Sequence, residues 1–391
     1  MGTDAAVPDM AFPGGFRAHA GHVGLRDVGD DVAVVVAIGP ATTAGVFTQN
    51  RFAGPSVRVS RQHLAAGGAR GVVVVAKNAN VATGAAGEAD AREVVELAAA
   101  AAGVAPGELL IASTGVIGRR YPMELLRRYF SGLDDGAFGA GAGQVAAAMM
   151  TTDTHPKTAQ RQVGSARVVG VAKGVGMIEP NMATMLAFVF TDAEVEAGVL
   201  DRIWRRAVDT TFNCLSVDTD TSTSDTAVVV ASGVAGPVDA GRLAVALREV
   251  CLDLTLQLAR DGEGATKLLT VTVRDARDGD QARRVAKAIV NSPLVKTAVH
   301  GADPNWGRVA MAIGKNSDDT DIDPDRVVIR FGELETYPAV PEEAGLAALA
   351  QVVAADHVDI EVSLGTGDAE ATVFGCDLSA GYVRINADYT T

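Results

Sequence analysis

The chain has 391 residues, and its 48% apolar and 21% charged residues are typical of a globular protein. Its 34 basic and 48 acidic residues give a formal net charge of −14, so neither nucleic acid nor an anionic membrane surface is an expected partner. Three cysteines without CxxC spacing fit neither a disulfide framework nor a zinc site, and we expect no bound metal.

The N-terminal segment, residues 1–13, contains acidic residues and lacks the basic and apolar stretches of a secretory leader. Nowhere do 18 apolar residues follow one another, as a membrane-spanning helix requires. We therefore expect a soluble cytoplasmic protein whose cysteines stay reduced.

Short runs rich in β-branched residues recur along the chain and predict strands. In chain order they are 32–38, 71–76, 109–112, 168–172, 185–190, 227–231, 268–273, 327–331, 358–362 and 383–385. Helices are predicted at 88–102 and 240–260, and the second carries an apolar stripe with helical spacing formed by Leu247, Val250, Cys251, Leu254 and Leu258. The predicted class is α+β. Neither GxGxxG nor GxxxxGK[ST] occurs, so nucleotide binding is not indicated.

The most informative segment is 173–186, KGVGMIEPNMATML, which places Thr184 directly behind the small residue Ala183 at a loop-to-strand junction. If the bond between them is cut, Thr184 becomes a chain start that carries both a hydroxyl and a free α-amine. Such a residue supplies a nucleophile and its own general base. The segment therefore indicates a self-processing enzyme.

Two other motifs follow predicted strands. Thr114 and Gly115 come after the strand 109–112, where a hydroxyl and a backbone N–H can form an oxyanion hole, although an ordinary strand-to-turn transition has the same sequence. Lys173 ends the strand 168–172. It is a candidate to bind a carboxylate or to lower the α-amine pKa of Thr184; the alternative is that it extends to solvent.

Three further polar segments contain the remaining candidate site residues. The run 150–157 contains Thr151 and also His155, for which a surface position is the favoured interpretation. Glu263 stands between two glycines and can approach a substrate ammonium closely. The C-terminal segment 382–391 is predicted to be strand-like and ordered to its last residues.

Together these motifs resemble the ornithine acetyltransferase family, also called glutamate N-acetyltransferases, over essentially the whole chain. The resemblance rests on AGVFT at 44–48, ASTGVIG at 112–118, MTTDT at 150–154, the block 173–186, DGEGATK at 261–267, LVKTA at 294–298, DPNWGR at 303–308 and NADYTT at 386–391. Glu179 and the segments 51–55 and 77–84 depart from the commoner family pattern. There the chain is similar to versions from antibiotic clusters such as that for clavulanic acid.

The resemblance implies an N-terminal-nucleophile fold that cleaves itself between Ala183 and Thr184. An α chain, 1–183, and a β chain, 184–391, would stay associated and pair as α2β2, with a smaller α/β domain at roughly 275–375 in the β chain. It also implies residue roles. Thr184 matches the nucleophile, Thr114 and Gly115 the oxyanion hole, and Thr151, Lys173, Thr184, Glu263, Asn386 and Thr391 the positions that contact substrate.

The implied reaction moves the acetyl group of N2-acetylornithine to glutamate through an acetyl-Thr184 intermediate, releases ornithine and needs no cofactor. One alternative is an amidase or aminopeptidase that uses the same threonine and gives the acyl group to water. Another is an acyltransferase acting on an antibiotic-pathway amine. A third, from another class, is an unprocessed binding or scaffold protein, which would remain near 40.1 kDa.

Overall fold

A computed structural model describes residues 10–179, 185–339 and 342–388. These residues form the strands β1 (Phe16–Gly21), β2 (Val32–Ala37), β3 (Thr42–Phe47), β4 (Gly71–Val75), β5 (Leu109–Ser113), β6 (Lys157–Val163), β7 (Ala166–Lys173), β8 (Leu186–Thr191), β9 (Thr226–Ala231), β10 (Leu268–Ala276), β11 (Val328–Phe331), β12 (Leu334–Tyr337), β13 (His357–Ser363) and β14 (Ala369–Cys376). The helices are α1 (Pro55–Ala66), α2 (Gly84–Ala101), α3 (Met123–Ser131), α4 (Ala142–Met149), α5 (Ala197–Asp209), α6 (Ala240–Arg260), α7 (Gly279–Val290), α8 (Pro293–His300), α9 (Trp306–Gly314), α10 (Glu343–Ala354) and α11 (Ala380–Asp388).

The strands form three sheets. The N-terminal sheet has the order β1-β2-β4-β5, the central sheet β3-β9-β8-β7-β6, and the C-terminal sheet β12-β11-β13-β10-β14. Each sheet is mostly antiparallel with one parallel pair, which is β4 with β5, β8 with β9, and β10 with β13 respectively. The chain is thus a mixed α and β protein, as predicted.

The first two sheets pack face to face between helices. On β7, Val169 and Val171 share an apolar core with the N-terminal sheet and α4, whereas Val168 and Ala172 share the opposite core with α5 and α6. The outer face of the N-terminal sheet packs on α2 and α3. Alternate side chains of a strand point to opposite faces, and both faces are covered here. This explains why the strands appear in the sequence as continuous apolar runs.

Every predicted strand is confirmed except the last, and both predicted helices are confirmed, α6 with its predicted bounds. The strand predicted at 383–385 is wrong, because these residues lie in helix α11. Ser379 Oγ accepts a hydrogen bond from Gly381 N at 2.9 Å and donates to Gly264 O at 2.5 Å, which fixes the start of this helix. Val383 remains 65% exposed, so its β-branched side chain does not contribute to a sheet.

Among the described helices, none combines the length and the apolar character that crossing a lipid bilayer demands.

Candidate active site

A cavity of about 340 Å³ lies where the C-terminal ends of β5 and β7 meet the N-terminal ends of β8 and β9. Its lining includes the predicted positions Thr114, Gly115, Thr151, Lys173, Glu263 and Asn386. Ala183, Thr184 and Thr391 lie outside the described residues. Met185, the residue that follows Thr184 in the sequence, also lines the cavity.

The Thr114–Gly115 corner offers hydrogen-bond donors to the cavity. Gly115 has φ +127°, and a Cβ there would meet the carbonyl carbon of Lys77 at 2.2 Å, so only glycine fits. The amides on either side, of Thr114 and Val116, donate to Val75 O and Lys77 O. No described residue accepts from the Gly115 N–H itself. This N–H is therefore available to a ligand oxygen.

Lys173 is 8% exposed, and its ammonium donates a hydrogen bond to Thr114 Oγ1 at 3.0 Å. The interpretation of a lysine that extends to solvent is therefore wrong, because the end of β7 is enclosed. Burial lowers the pKa of Lys173. Nearby charges act in both directions: carboxylates raise this pKa and other ammonium groups lower it, in decreasing order Asp153 (raises), Lys157 (lowers), Glu263 (raises) and Lys77 (lowers).

The loop after α4 carries Thr151 and Thr152. Thr151 N donates to Asp153 Oδ2 at 3.0 Å, and Thr151 O accepts from Lys77 Nζ at 2.6 Å, so the peptide groups before and after Thr151 are both held. Thr152 Oγ1 donates to Glu263 Oε1 at 2.9 Å. His155 follows in the same segment but does not line the cavity, and its side chain is 50% exposed.

Glu263 follows the C-terminal end of α6 and is held on several sides. Its Oε1 accepts from Thr152, and its Oε2 accepts from Asn386 Nδ2 at 2.9 Å. A Cβ on Gly176 would lie 2.4 Å from Glu263 Oε2. The carboxylate therefore occupies space that only a glycine at position 176 leaves open.

Two acidic residues at the site were missed in the sequence. One of them, Asp153, accepts a hydrogen bond from the buried ammonium of Lys157 at 2.9 Å. Asp225 lines the cavity and is 1% exposed, and no described residue forms a hydrogen bond with its Oδ2. Burial raises the pKa of Asp225 well above its usual value, although the hydroxyls of Ser222 and Thr48 oppose this shift. Its place two residues before the apolar run 227–231 is the signal in the sequence that could have indicated burial, and buried acidic residues are uncommon outside ion pairs and functional sites.

The chain before the undescribed stretch 180–184 is firmly anchored. Asp218 accepts from the backbone N–H groups of Met177 and Ile178 at 2.6 and 2.7 Å. The Glu179 carboxylate accepts from Ser216 Oγ at 3.0 Å and from Asn291 Nδ2. The segment that precedes residue 180 is therefore fixed to two neighbouring loops.

In chemical terms the cavity combines a buried ammonium, a carboxylate and a pair of oxyanion donors. Lys173 can bind a carboxylate, and Glu263 can bind an ammonium. The Thr114 hydroxyl and the Gly115 N–H can stabilise a negatively charged oxygen. A diamino acid acylated on one of its amines presents a partner for each of these groups, namely a carboxylate, an ammonium and an acyl oxygen.

Residues 17–391 match the ArgJ family. The chain is 55% identical over 379 residues to the arginine biosynthesis bifunctional protein ArgJ 2 of Nostoc sp., covering 97% of this chain and 98% of that protein. It is 56% identical over 385 residues to the glutamate N-acetyltransferase Oat2 of Streptomyces clavuligerus, with the same two coverages, 97% and 98%. The crystal structure of ornithine acetyltransferase complexed with ornithine from Mycobacterium tuberculosis is 32% identical and has a TM-score of 0.40, covering 45% of this chain and 98% of that one.

Proposed function

The chain belongs to the ArgJ family, and we propose that it transfers the acetyl group of N2-acetylornithine to glutamate. The observation that supports this most directly is the placement of Lys173 and Glu263 in one cavity with Thr114 and Gly115. The charges of Lys173 and Glu263 are complementary to the carboxylate and the side-chain ammonium of acetylornithine. Thr114 and Gly115 can donate hydrogen bonds to the oxyanion that forms in acyl transfer.

The reaction begins with a self-cleavage between Ala183 and Thr184, which releases the α-amine of Thr184. This amine, with an ordinary pKa of roughly 7.7 to 8, takes the proton of Thr184 Oγ as the oxygen attacks the acetyl carbonyl. The C–N bond then breaks, the same proton passes to the departing amine of ornithine, and acetyl-Thr184 remains. The amine of glutamate reverses these steps and leaves as N-acetylglutamate.

The remaining positions bind the substrate. Glu263, oriented by Thr152 and Asn386, takes the side-chain ammonium of acetylornithine. Lys173 provides the positive charge for a carboxylate, and Thr151 and Thr391 provide further polar contacts. Thr114 and Gly115 stabilise the tetrahedral oxyanion in both half-reactions, a contribution of about 3 to 4 kcal/mol per donor in other acyl-transfer enzymes.

After cleavage, the α chain, 1–183, and the β chain, 184–391, stay together. β7 precedes the cut and β8 follows it, yet they pair along residues 168–173 and 186–191 within the central sheet. β3 likewise pairs with β9. Separating the chains would expose several buried strands to water. We propose that two such heterodimers form α2β2 in the cytoplasm, and that 275–375 forms the smaller domain of the β chain.

The transfer serves arginine biosynthesis, the role named for the Nostoc relative; a role with an antibiotic-pathway amine is the alternative. The test incubates purified protein with N2-acetylornithine and a panel of amine acceptors, and follows all products by mass spectrometry. We expect ornithine and N-acetylglutamate in equal amounts, with the parallel initial-rate lines of a ping-pong mechanism. Acetate as the main product would identify an amidase, preference for another amine would identify a different acceptor, and no turnover with a single 40.1 kDa species would identify a binding protein.

A further inference from the structure

Three buried charged residues, Asp153, Lys157 and Asp261, lie behind the cavity. They are not among the residues proposed to contact the substrate. Lys157, which is 0% exposed, donates to Asp153 Oδ1 at 2.9 Å and to Asp261 Oδ2 at 2.6 Å. The Asp153 side chain is 0% exposed and that of Asp261 is 4% exposed. Buried charges are retained only when they are paired and hydrogen-bonded, which these are.

Of these three charged residues, Asp153 is the one that contacts segments lining the cavity. Besides Lys157, its carboxylate accepts from Thr151 N at 3.0 Å and from Gly174 N at 2.7 Å. Gly174 directly follows Lys173, the last residue of β7. One carboxylate therefore connects the loop that carries Thr151 and Thr152 to the strand end that carries Lys173.

Asp153 is also a counter-charge for Lys173. Burial raises the pKa of Asp153, but the ammonium groups of Lys173 and Lys157 and the hydrogen bonds to the carboxylate lower it to about 2, so the group is ionised. Of the charged groups that face Lys173, Asp153 contributes most to keeping it protonated; Glu263 acts in the same direction, and Lys157 and Lys77 act against it. Asp225 also faces Lys173, but its burial favours the neutral acid.

We propose that Asp153 is a positioning residue for acyl transfer, which ties the Thr151 loop to the end of β7 and supplies a buried negative charge to the strand end that carries Lys173. The inference rests on the proposed function, because it assigns a role to a residue behind the same cavity. Asp153 acts through Lys173 and Thr151 and needs no contact with the substrate.

The protonation of Lys173 matters because of Thr114. An ammonium can only donate, so the hydrogen of the Thr114 hydroxyl is free to donate into the cavity. A neutral lysine amine can instead accept that hydrogen. Loss of the Lys173 proton would then remove both the cation that binds a carboxylate and one oxyanion donor. The Asp153 charge protects both functions at alkaline pH.

The test is the pH profile of kcat/KM for acetylornithine in Asp153→Asn, which keeps the size of the side chain and an acceptor oxygen but removes the charge. Burial still lowers the pKa of Lys173 in this variant, while its main opposing charge is gone. The alkaline limb should therefore move to lower pH by about one to three units, the usual effect of one close charge. At one pH unit above the wild-type midpoint, kcat/KM then falls about tenfold or more beyond any uniform loss.

Asp261→Asn is the matched control. It removes a buried carboxylate from the same lysine, Lys157, but Asp261 is not among the main charged groups that shift the pKa of Lys173. We expect a lower Tm with an unmoved alkaline limb. Asp153→Glu, which restores the charge, should return the limb to its wild-type position even where the rate stays low.

Two outcomes overturn the proposal: an Asp153→Asn profile that superimposes on wild type after scaling, or the same shift in Asp261→Asn. If Asp153→Asn does not fold, the protonation state of Lys173 is measured by NMR on wild-type protein labelled with ¹³C-lysine. The Lys173 signal is assigned by its loss in Lys173→Arg. The signal should remain that of an ammonium at the pH of maximal activity, and a neutral amine there refutes the proposal. A wild-type protein that transfers no acetyl group contradicts the proposed function instead.

Discussion

The ammonium of Lys173 donates a hydrogen bond to the hydroxyl of Thr114 at 3.0 Å, across 59 positions of the chain. The contact connects the end of β7 in the central sheet to the residue after β5 in the N-terminal sheet. Because the hydroxyl oxygen accepts from a cation, its own hydrogen is polarised and directed elsewhere. This arrangement favours Thr114 as a donor to a developing oxyanion.

Thr114→Val removes the hydroxyl and keeps the branched shape of the side chain. We expect kcat to fall by about 100- to 1000-fold, the typical effect of losing one oxyanion donor, with a smaller change in KM. Thr114→Ser is the control, since it keeps the hydroxyl, and it should retain much more activity. Steady-state kinetics on both variants measures the difference. Equal activity in the valine and serine variants would remove Thr114 from the oxyanion hole.

Thr184→Ala should block both self-cleavage and acetyl transfer, because it lacks the hydroxyl on which both depend. Thr184→Ser keeps hydroxyl and amine and should cleave and retain part of the activity. We expect the histidines His155 and His300 and the three cysteines to be dispensable for the chemistry, so their alanine variants should cleave fully. Intact mass separates a cleaved protein from a species of 40.1 kDa. A Thr184→Ala protein with wild-type turnover would place the nucleophile elsewhere.

Glu263→Gln should lower kcat/KM for acetylornithine by about ten- to a hundredfold and leave self-cleavage intact, because a charge-assisted contact contributes roughly 1.5 to 3 kcal/mol. Gly176→Ala should have a similar effect without touching the carboxylate chemically, since its Cβ would lie 2.4 Å from Glu263 Oε2. Gly279→Ala is the matched control, because a Cβ there meets nothing within 4 Å. If Gly176→Ala retains wild-type kinetics, the exact position of the carboxylate is unimportant.

Asp225→Asn should change the pH dependence of stability. The pKa of Asp225 is raised in the folded protein by burial, so the folded state keeps a proton that the unfolded state loses as pH rises above the ordinary carboxyl pKa. Stability from this group is therefore present at acidic pH and declines toward alkaline pH. Asparagine does not titrate, so the Tm of the variant relative to wild type should increase from pH 5 to pH 9. A constant difference in Tm across this range would show that Asp225 is ionised in the fold.

The sequence predicted the parts of the fold that local patterns determine. The run of valines in β4 is buried on both faces, so its sequence alone indicates a strand. The apolar stripe of α6 has helical spacing, and it predicted this helix with the correct bounds. Five strands were missed: β1, β3, β6, β12 and β14. Each lies at an edge of its sheet and mixes polar with apolar residues, which hides the strand pattern.

The cavity was predictable only as a set of residue types. Thr114, Lys173 and Glu263 stand out because polar residues follow apolar elements. Their mutual contacts depend on how the sheets pack, which no local pattern reveals. Asp225 was missed because its place beside Met185 arises from the parallel pairing of β8 with β9, starting at Leu186 and Thr226. Register between distant strands is set by tertiary packing.

A protein that ends at Ile385, without residues 386–391, should lose acetyl transfer and still cleave itself. Asn386 Nδ2 donates to Glu263 Oε2 at 2.9 Å, which orients the carboxylate proposed to bind the substrate ammonium. We expect the rest of α11 to stay in place when residues 386–391 are removed, because Ser379 fixes the start of the helix and Tyr382 OH donates to Asp218 Oδ2 at 3.3 Å.

Self-cleavage needs Thr184 and the oxyanion donors, whereas transfer also needs the substrate's charged ends to be held. The single variant Asn386→Leu separates the amide from the rest of the tail, including Thr391. It should raise KM for acetylornithine more than it lowers kcat, while the truncation removes activity altogether. Intact mass, circular dichroism and acetyl-transfer rate are measured on the same preparations. A truncated protein that is folded, cleaved and as active as the full chain would exclude both Asn386 and Thr391 from substrate binding.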